Sequence, residues 1–485
     1  MRAASVQRAR AYRAGVPTTS LPAGRHLALT WGFPAQWGGM TSAMLHRSRS
    51  FVAAGAPVDI LTLDDRDDLP DLERRMRDDG LIVDGIRLLN LWDWLREHDV
   101  APRGTEVDET HEPLPVEGRM TERLDAQGER DAVDRRRDDG SLLMTGRRRD
   151  DGGWTALLYD RDGRAVRRFG SLWGVYRLWL DLLTDGEQSW LIVDSKTAAR
   201  FVRGYRREHV VTMHVVHGSH RDGAKPRASR KAVFDHLADY DSIVLLTERQ
   251  RDDVLADHGP QRNLAVIPNG RDLDAALAAD LERPRGRGVM LASLSGRKRV
   301  PHAVEAVAAA SLLTEVTLDV YGDGDCCDQV QQAIASRHAE SLVRLHGHVP
   351  DAAAEFRSAD FSLLTSTSEG LPLVLAESMA AGCVPIAYDI DYGPSDLIHD
   401  GREGFLVPPG DRERLAERIA EFVALPERKA LAMRKAARRR ALQFTDDAVV
   451  AAWSREMIRA RARKNPTKAP EGLRARIGRL KGLAR

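Results

Sequence analysis

Two glutamates, Glu369 and Glu377, stand eight residues apart in the stretch STSEGLPLVLAESMAAG, residues 366–382. A short apolar run precedes them and ends near Thr365, as a strand would. Pro372 falls where a first helical turn would open, and Gly382 falls where that helix would be capped. The amides of Gly370, Leu371 and the first turn would then lack intrahelical acceptors and point toward an anion, so this helix N-terminus is a phosphate site. Carboxylates on either side of a phosphate site suit a nucleotide sugar. One acid would lie near the sugar, and the other would accept from ribose hydroxyls. Glu377 lies in an otherwise apolar helix, where a merely solvated carboxylate is unexpected. A second group is His214, His217 and His220, at the end of the apolar run 209–216. His217 is the candidate to face a cleft, with His214 and His220 as alternatives by register. Asp323 with Asp325, and Asp389 with Asp391, match an Asp-x-Asp pattern, but both read as turn chemistry and no metal site is expected.

Positioning these groups is the work of alternating strands and helices, the pattern of parallel sheets. Strands are expected at 26–33, 58–63, 190–194, 209–217, 242–247 and 264–268, with Gly38 and Gly39 opening a helix after the first. A second set is expected at 288–293, 316–321, 342–345, 361–364, 384–388 and 404–407. The fold class is therefore α/β, with two Rossmann-like domains facing a cleft where ligands bind. The first domain covers 1–270 and the second 271–445, with residues 271–287 as the linker at the start of the second. A helix over 446–463 packs back on the first domain, and 464–485 forms a basic tail. Residues 101–170 interrupt the rhythm with two RRRDDG runs, at 135–140 and 147–152, and a hairpin pattern over 156–169. They are expected to form a β-rich insertion in the first domain.

The 485 residues carry 73 Lys+Arg against 72 Asp+Glu, a near-balance that excludes a surface built to grip nucleic acid. Apolar residues are 42%, enough for packed cores and too many for a disordered chain. Three cysteines (Cys326, Cys327, Cys383) without a CxxC pair argue against a disulfide framework or a zinc site. The longest apolar stretch, 371–388, is broken by Glu377, Ser378, Gly382 and Pro385, so no membrane-spanning helix is expected. No signal-peptide run appears at the start. A cytoplasmic protein is expected. From Arg459 on, ten Lys/Arg face Glu471 alone, and Leu473, Ile477, Leu480 and Ala484 share one helical stripe. That tail could meet an anionic membrane surface.

The E-x7-E pattern with its surroundings, SEGLPLVLAESMAAGCVPI, resembles the retaining glycosyltransferases of family 4, which have the GT-B fold. The Gly38–Gly39 loop, IPNG at 267–270, YGDG at 321–324, HGH at 346–348 and GREGFLV at 401–407 are similar to that family's loops in the same order. YDIDYGPSD at 388–396 and HVVHGSH at 214–220 resemble a narrower group. It holds the poly(glycerol-phosphate) alpha-glucosyltransferases and the O-GlcNAc transferases of serine-rich adhesins, which also carry a β-rich insertion.

The resemblance implies transfer of a hexose from a UDP-sugar to an acceptor hydroxyl with retention, without a metal and without a cofactor beyond the donor substrate. The acceptor would be a glycerol- or ribitol-phosphate polymer, or another polyanionic or cell-surface glycan. Glu369, His217 and Lys298 would be catalytic. Gly38, Gly39, Arg297, Gly370, Leu371 and Glu377 would bind the donor, with Glu377 on the ribose. The family's usual Arg, about five residues before Lys298, is replaced by Ser293, and Arg297 or Arg299 could stand in for it. The insertion assembles trimers in some relatives, so a homo-oligomer is a further expectation. The competing reading is a GT-B partner without turnover that stabilises a catalytic paralogue or presents a protein acceptor. A glycogen- or sucrose-synthase reading is disfavoured by the YGPSD loop and the insertion.

Overall fold

The computed structural model describes residues 20–34, 38–100, 107, 109–223, 225–279 and 281–465. The basic tail from 466 on lies outside the described residues. Contacts divide the described chain into two units. One holds residues 22–215, 232–242 and 457–465, and the other holds residues 20–21, 216–231 and 243–456.

The first unit is built on parallel strands β1 (Arg25–Leu29), β2 (Val58–Thr62) and β3 (Ile86–Asn90). An antiparallel group follows: β4 (Met120–Leu124), β5 (Arg130–Arg136), β6 (Leu142–Arg148), β7 (Trp154–Tyr159) and β8 (Ala165–Phe169). The chain then returns through β9 (Ser189–Val193) and β10 (Val210–Val216), giving the parallel order β10-β9-β1-β2-β3. β2, β9 and β10 are buried at every residue, as a sheet covered on both faces requires. β3 went unread in the sequence because it is a short edge strand, with Arg87 breaking its apolar run and pairing with Asp59 at 2.7 Å.

The insertion is a five-stranded meander in the order β4 to β8. Its four tight turns are DAQG, RDDG, RDDG and DRDG, ending at Gly128, Gly140, Gly152 and Gly163. In each, the glycine amide donates to the carbonyl three residues back, at 2.9 to 3.2 Å. Each glycine has φ between 77° and 82°, the left-handed region where a side chain is costly. The two RRRDDG runs are thus matching strand ends and turns rather than a sequence repeat. Their charge is partly internal: Arg135 lies over the Trp92 ring at 3.7 Å and pairs with buried Asp65 at 3.0 Å.

His26 on β1 is buried, packs edge-on to Phe51, and neither ring nitrogen finds a hydrogen-bond partner among the described residues. Burial pushes its pKa down to about 4. The folded unit keeps the ring neutral while the unfolded chain protonates it below pH 6.5, so stability falls as pH drops from 6.5 to about 4. A His26→Phe variant should remove about 3 kcal/mol of that acid sensitivity, read as denaturation midpoints at pH 7 and pH 4.5. An unchanged difference between the two midpoints would refute the burial argument.

The second unit contains the short β11 (Arg221–Asp222) and β12 (Lys225–Pro226), and the parallel pair β13 (Ser242–Leu245) and β14 (Leu264–Val266). Its main sheet is six parallel strands: β15 (Arg287–Leu291), β16 (Thr317–Tyr321), β17 (Val343–Leu345), β18 (Phe361–Leu364), β19 (Val384–Tyr388) and β20 (Phe405–Val407). The order is β17-β16-β15-β18-β19-β20. Val304 and Val307 from the helix Val300–Ala310 pack with Val320, Phe361, Ile386 and Phe422 into one core. Among the described residues no helix is long and apolar enough to cross a membrane.

Candidate functional site

Strand order reverses between β15 and β18. The connections leave these neighbours in opposite directions, so a crevice opens at their carboxyl ends. The loops that meet there are residues 292–299 after β15 and 365–372 after β18. They are tied together by hydrogen bonds. The Thr367 amide donates to the Arg297 carbonyl at 2.8 Å, the Thr365 hydroxyl donates to the Lys298 carbonyl at 2.8 Å, and Arg297 Nη1 donates to the Ser368 carbonyl at 2.8 Å. A cavity of about 710 Å³ lies here, lined by Arg271, Ser293, Arg297, Lys298, Glu369 and Glu377 among others.

Glu369 is the centre of its charge. Its Oε1 accepts from Lys298 Nζ at 2.6 Å and lies 3.0 Å from Arg297 Nη1. Burial acts to raise this carboxyl, but the Lys298 ammonium, hydrogen bonds from Lys298 and Ser366, and the Arg297 guanidinium overcome it and hold it below the usual range. The carboxylate is therefore ionised at neutral pH and holds two cations in place. The helix Leu373–Ala380 begins directly after Pro372, and Gly382 closes it with φ 74°. Neither the Gly370 amide nor the Leu371 amide has an acceptor among the described residues. Cationic side chains on one cavity, with amides lacking acceptors in the loop beside it, can bind a polyanion such as a diphosphate.

Arg297 lines this cavity and Arg299 does not. Arg299 adopts φ 46° at the start of the helix Val300–Ala310. Of the two arginines that the sequence left open beside Ser293, Arg297 is the one the fold aims at Glu369. Glu377, on the cavity wall, accepts from Arg271 Nε. Sequence reading assigned residues 271–287 to a linker and missed Arg271. The position is held by the Arg271 amide, which donates a hydrogen bond to the Phe444 carbonyl at 2.9 Å, and by a parallel bridge to Thr445. The available signal was its place directly after IPNG. At the far end, the Tyr321 and His346 rings stack with centroids 4.3 Å apart, and His346 Nε2 lies 2.8 Å from Asp319. Tyr321 and His348 both line the cavity, so this end offers flat surfaces to a ring.

The three histidines part ways. His214 is fully buried, with Nδ1 2.8 Å from the Val193 carbonyl. His220 is buried, stacks on Tyr392 at 6.1 Å and lies 3.3 Å from Asp257. His217 is half-buried at the Glu369 loop: a methyl at Gly370 would lie 3.0 Å from the His217 carbonyl oxygen, which is why the smallest residue fits there. None of the three lines the 710 Å³ cavity. Gly38 and Gly39 belong to the other unit, where Gly38 caps the helix Gly39–Ala53 and a methyl at either position would meet nothing within 4 Å. Asp323 accepts from the Gly324 amide at 2.7 Å, and among the described residues no cluster of three or more His, Cys, Asp or Glu could hold a metal ion.

Residues 286–440, which include Ser293, Arg297, Lys298, Glu369 and Glu377, match the family described as glycosyl transferases group 1. The poly(glycerol-phosphate) alpha-glucosyltransferase of Bacillus subtilis (strain 168) is 27% identical over 214 residues, 43% of this chain and 32% of that protein. The poly(ribitol-phosphate) alpha-N-acetylglucosaminyltransferase of Staphylococcus aureus (strain COL) is 26% identical over 255 residues, half of each chain. The chain thus spans between a third and a half of these relatives. In three dimensions the pneumococcal O-GlcNAc transferase GtfA, solved with UDP and GlcNAc, superposes with a TM-score of 0.63 at 18% identity. That match covers 90% of this chain and 99% of the other. At that identity the likeness speaks to fold, which is GT-B with two Rossmann-like domains.

Proposed function

We propose, from the membership of residues 286–440 in the group 1 glycosyl transferases, that the protein is a retaining hexosyltransferase using a UDP-sugar. The acceptor hydroxyl would lie on a glycerol- or ribitol-phosphate polymer or a related cell-surface glycan, by likeness to what the curated relatives are named for. The observation that carries the reading is the meeting of Lys298, Arg297 and Leu371 at one cavity around an ionised Glu369, with the Gly370 and Leu371 amides left without acceptors among the described residues in the same loop.

In transfer, the bond between the anomeric carbon and the diphosphate breaks, and negative charge grows on the departing UDP. Lys298 and Arg297 would neutralise that charge with the unpaired amides, so the reading needs no metal. Glu369, beside them, would meet the positive charge developing on the sugar. Glu377 would accept from the ribose, and the Tyr321–His346 stack would flank the base. His217 is assigned to the sugar side of the Glu369 loop, and Gly38 with Gly39 to the donor diphosphate. We place the reaction in the cytoplasm, with the basic tail resting on anionic lipid.

The test is UDP release from a panel of UDP-sugars, with and without a glycerol-phosphate polymer, in EDTA. Acceptor-stimulated release that survives EDTA is the expected result. UDP binding with no release from any donor would favour the partner without turnover, for which Ser293 in place of the family's Arg is the supporting observation. A finer check concerns the ribose. Glu377→Gln should weaken UDP binding by about 1–3 kcal/mol, the loss of one charged hydrogen bond, measured by calorimetry. Equal affinity for the variant and the parent would remove Glu377 from that role.

A further inference from the structure

Outside the donor cavity, Arg227 and Arg230 have no ion pair among the described residues. A second cavity of about 520 Å³ adjoins the Glu369 loop, lined by Ser219, Arg221, Arg227, Arg249, Thr367 and Ser368 among others. Most of its charge is spent. Arg221 pairs with Asp253 at 2.9 Å and Asp257 at 2.6 Å, and Arg249 pairs with Asp389 at 3.2 Å and Asp391 at 2.6 Å. Arg227 differs. Its Nε donates to the Arg221 carbonyl at 3.0 Å, and it pairs with no carboxylate among the described residues, the Asp389 and Asp391 carboxylates on the same cavity being held by Arg249.

Arg230, three residues on, is half-buried, and its guanidinium has no hydrogen bond or ion pair among the described residues. Its Nη2 lies 3.6 Å from where a methyl on Gly218 would stand, and the Gly218 Cα lies 3.6 Å from where a methyl on Gly370 would stand. The guanidinium is therefore beside the His217–Gly218 turn that abuts the Glu369 loop. Burial, then repulsion by Arg227, pushes its pKa down to about 10. Two cations a turn apart, one of them desolvated and neither neutralised by a described residue, are an unfavourable arrangement that an anion would relieve. Guanidinium forks match the paired oxygens of a phosphate.

Resting on the transferase reading above, we propose that Arg227 and Arg230 hold a phosphodiester group of the acceptor, presenting its neighbouring hydroxyl to the Glu369 loop. The acceptor is favoured over the donor diphosphate because this cavity lacks Ser293, Lys298 and Glu377, which line the donor cavity. The two cavities share one loop. Thr367 and Ser368 face this one, and Glu369 faces the other.

The experiment measures binding of poly(glycerol-phosphate) and of UDP to the whole protein, for the parent, Arg230→Gln, Arg230→Lys and the Arg227→Gln/Arg230→Gln double variant. Polymer affinity should fall about tenfold for Arg230→Gln and about a hundredfold for the double variant, and UDP affinity should stay put. Arg230→Lys, which keeps charge and loses the fork, should fall between the parent and Arg230→Gln. Thermal midpoints should not drop, because the lost charge has no partner among the described residues. Unchanged polymer affinity in the folded double variant overturns the proposal. So does a loss confined to UDP, which would assign the arginines to the donor, and so does a parent protein that fails to bind the polymer. A parent that binds polymer through these arginines yet transfers no sugar to it breaks the transferase reading and leaves the site standing.

Discussion

On the transferase reading proposed above, replacing Glu369 by Gln should lower the rate of sugar transfer by about 100-fold or more, the usual cost of removing one preorganised charge from a transition state. UDP affinity changes far less. The structure gives the reason for the split. The amide oxygen of Gln can still accept from Lys298 at the place where Glu369 Oε1 now does, so the cavity keeps its shape. What disappears is a full negative charge, because Lys298 and Arg297 hold the carboxyl ionised across the neutral range. The deficit should be flat between about pH 5 and 8, since the group's pKa lies below its usual range there and titration contributes nothing. Single-turnover transfer with the parent's best donor and acceptor checks it. A variant with undiminished transfer would leave Glu369 as a holder of Lys298 and nothing more.

The largest expected loss of stability is at Arg434. Its guanidinium donates to Asp360 Oδ1 at 2.6 Å, and both side chains are fully buried. Asp360 also accepts from Arg285 at 2.9 Å and from the Gly286 amide at 2.9 Å. This carboxylate directly precedes β18 and anchors the entry to β15, the two strands whose parting makes the crevice. Arg434→Met keeps most of the volume and strips one counter-charge. It should cost about 3–5 kcal/mol, toward the lower end because Arg285 and Gly286 remain. Chemical denaturation of the second unit's transition measures this. Adding Asp360→Leu to Arg434→Met should recover part of the loss, because the fully buried carboxylate leaves with its fully buried guanidinium; the recovery is partial because Arg285 and the Gly286 amide lose an acceptor. If the double variant is less stable than the single one by the full cost of a second lesion, the two side chains act independently and the pair is not the anchor.

Most strands were legible as short apolar runs because a parallel sheet covered on both faces needs them, as in β9 and β10. The helix after Pro372 was legible from proline and glycine, whose backbone limits act locally. The hairpin at 156–169 was visible for the same reason, and the two RRRDDG runs were visible as a likeness whose meaning, two equivalent turns, appeared only with the meander around them. β3 stayed hidden because an edge strand is partly exposed and its sequence carries less apolar signal.

The chemistry divides along the same line. Residue type and spacing by themselves determined that Glu369, Gly370, Leu371 and Glu377 border one helix N-terminus, since all lie within nine residues and local geometry suffices. Which cations meet them is a matter of packing between segments far apart in the chain. Lys298 reaches Glu369 and Arg297 reaches the neighbouring Ser368 across 71 residues, and Arg271 reaches Glu377 across 106. Choosing Arg297 over Arg299, setting His214 into the sheet and leaving Arg230 without a counter-charge among the described residues are likewise decisions of tertiary structure. A side chain's direction depends on the strand register and on what fills the space beside it, and neither is written in the neighbouring residues.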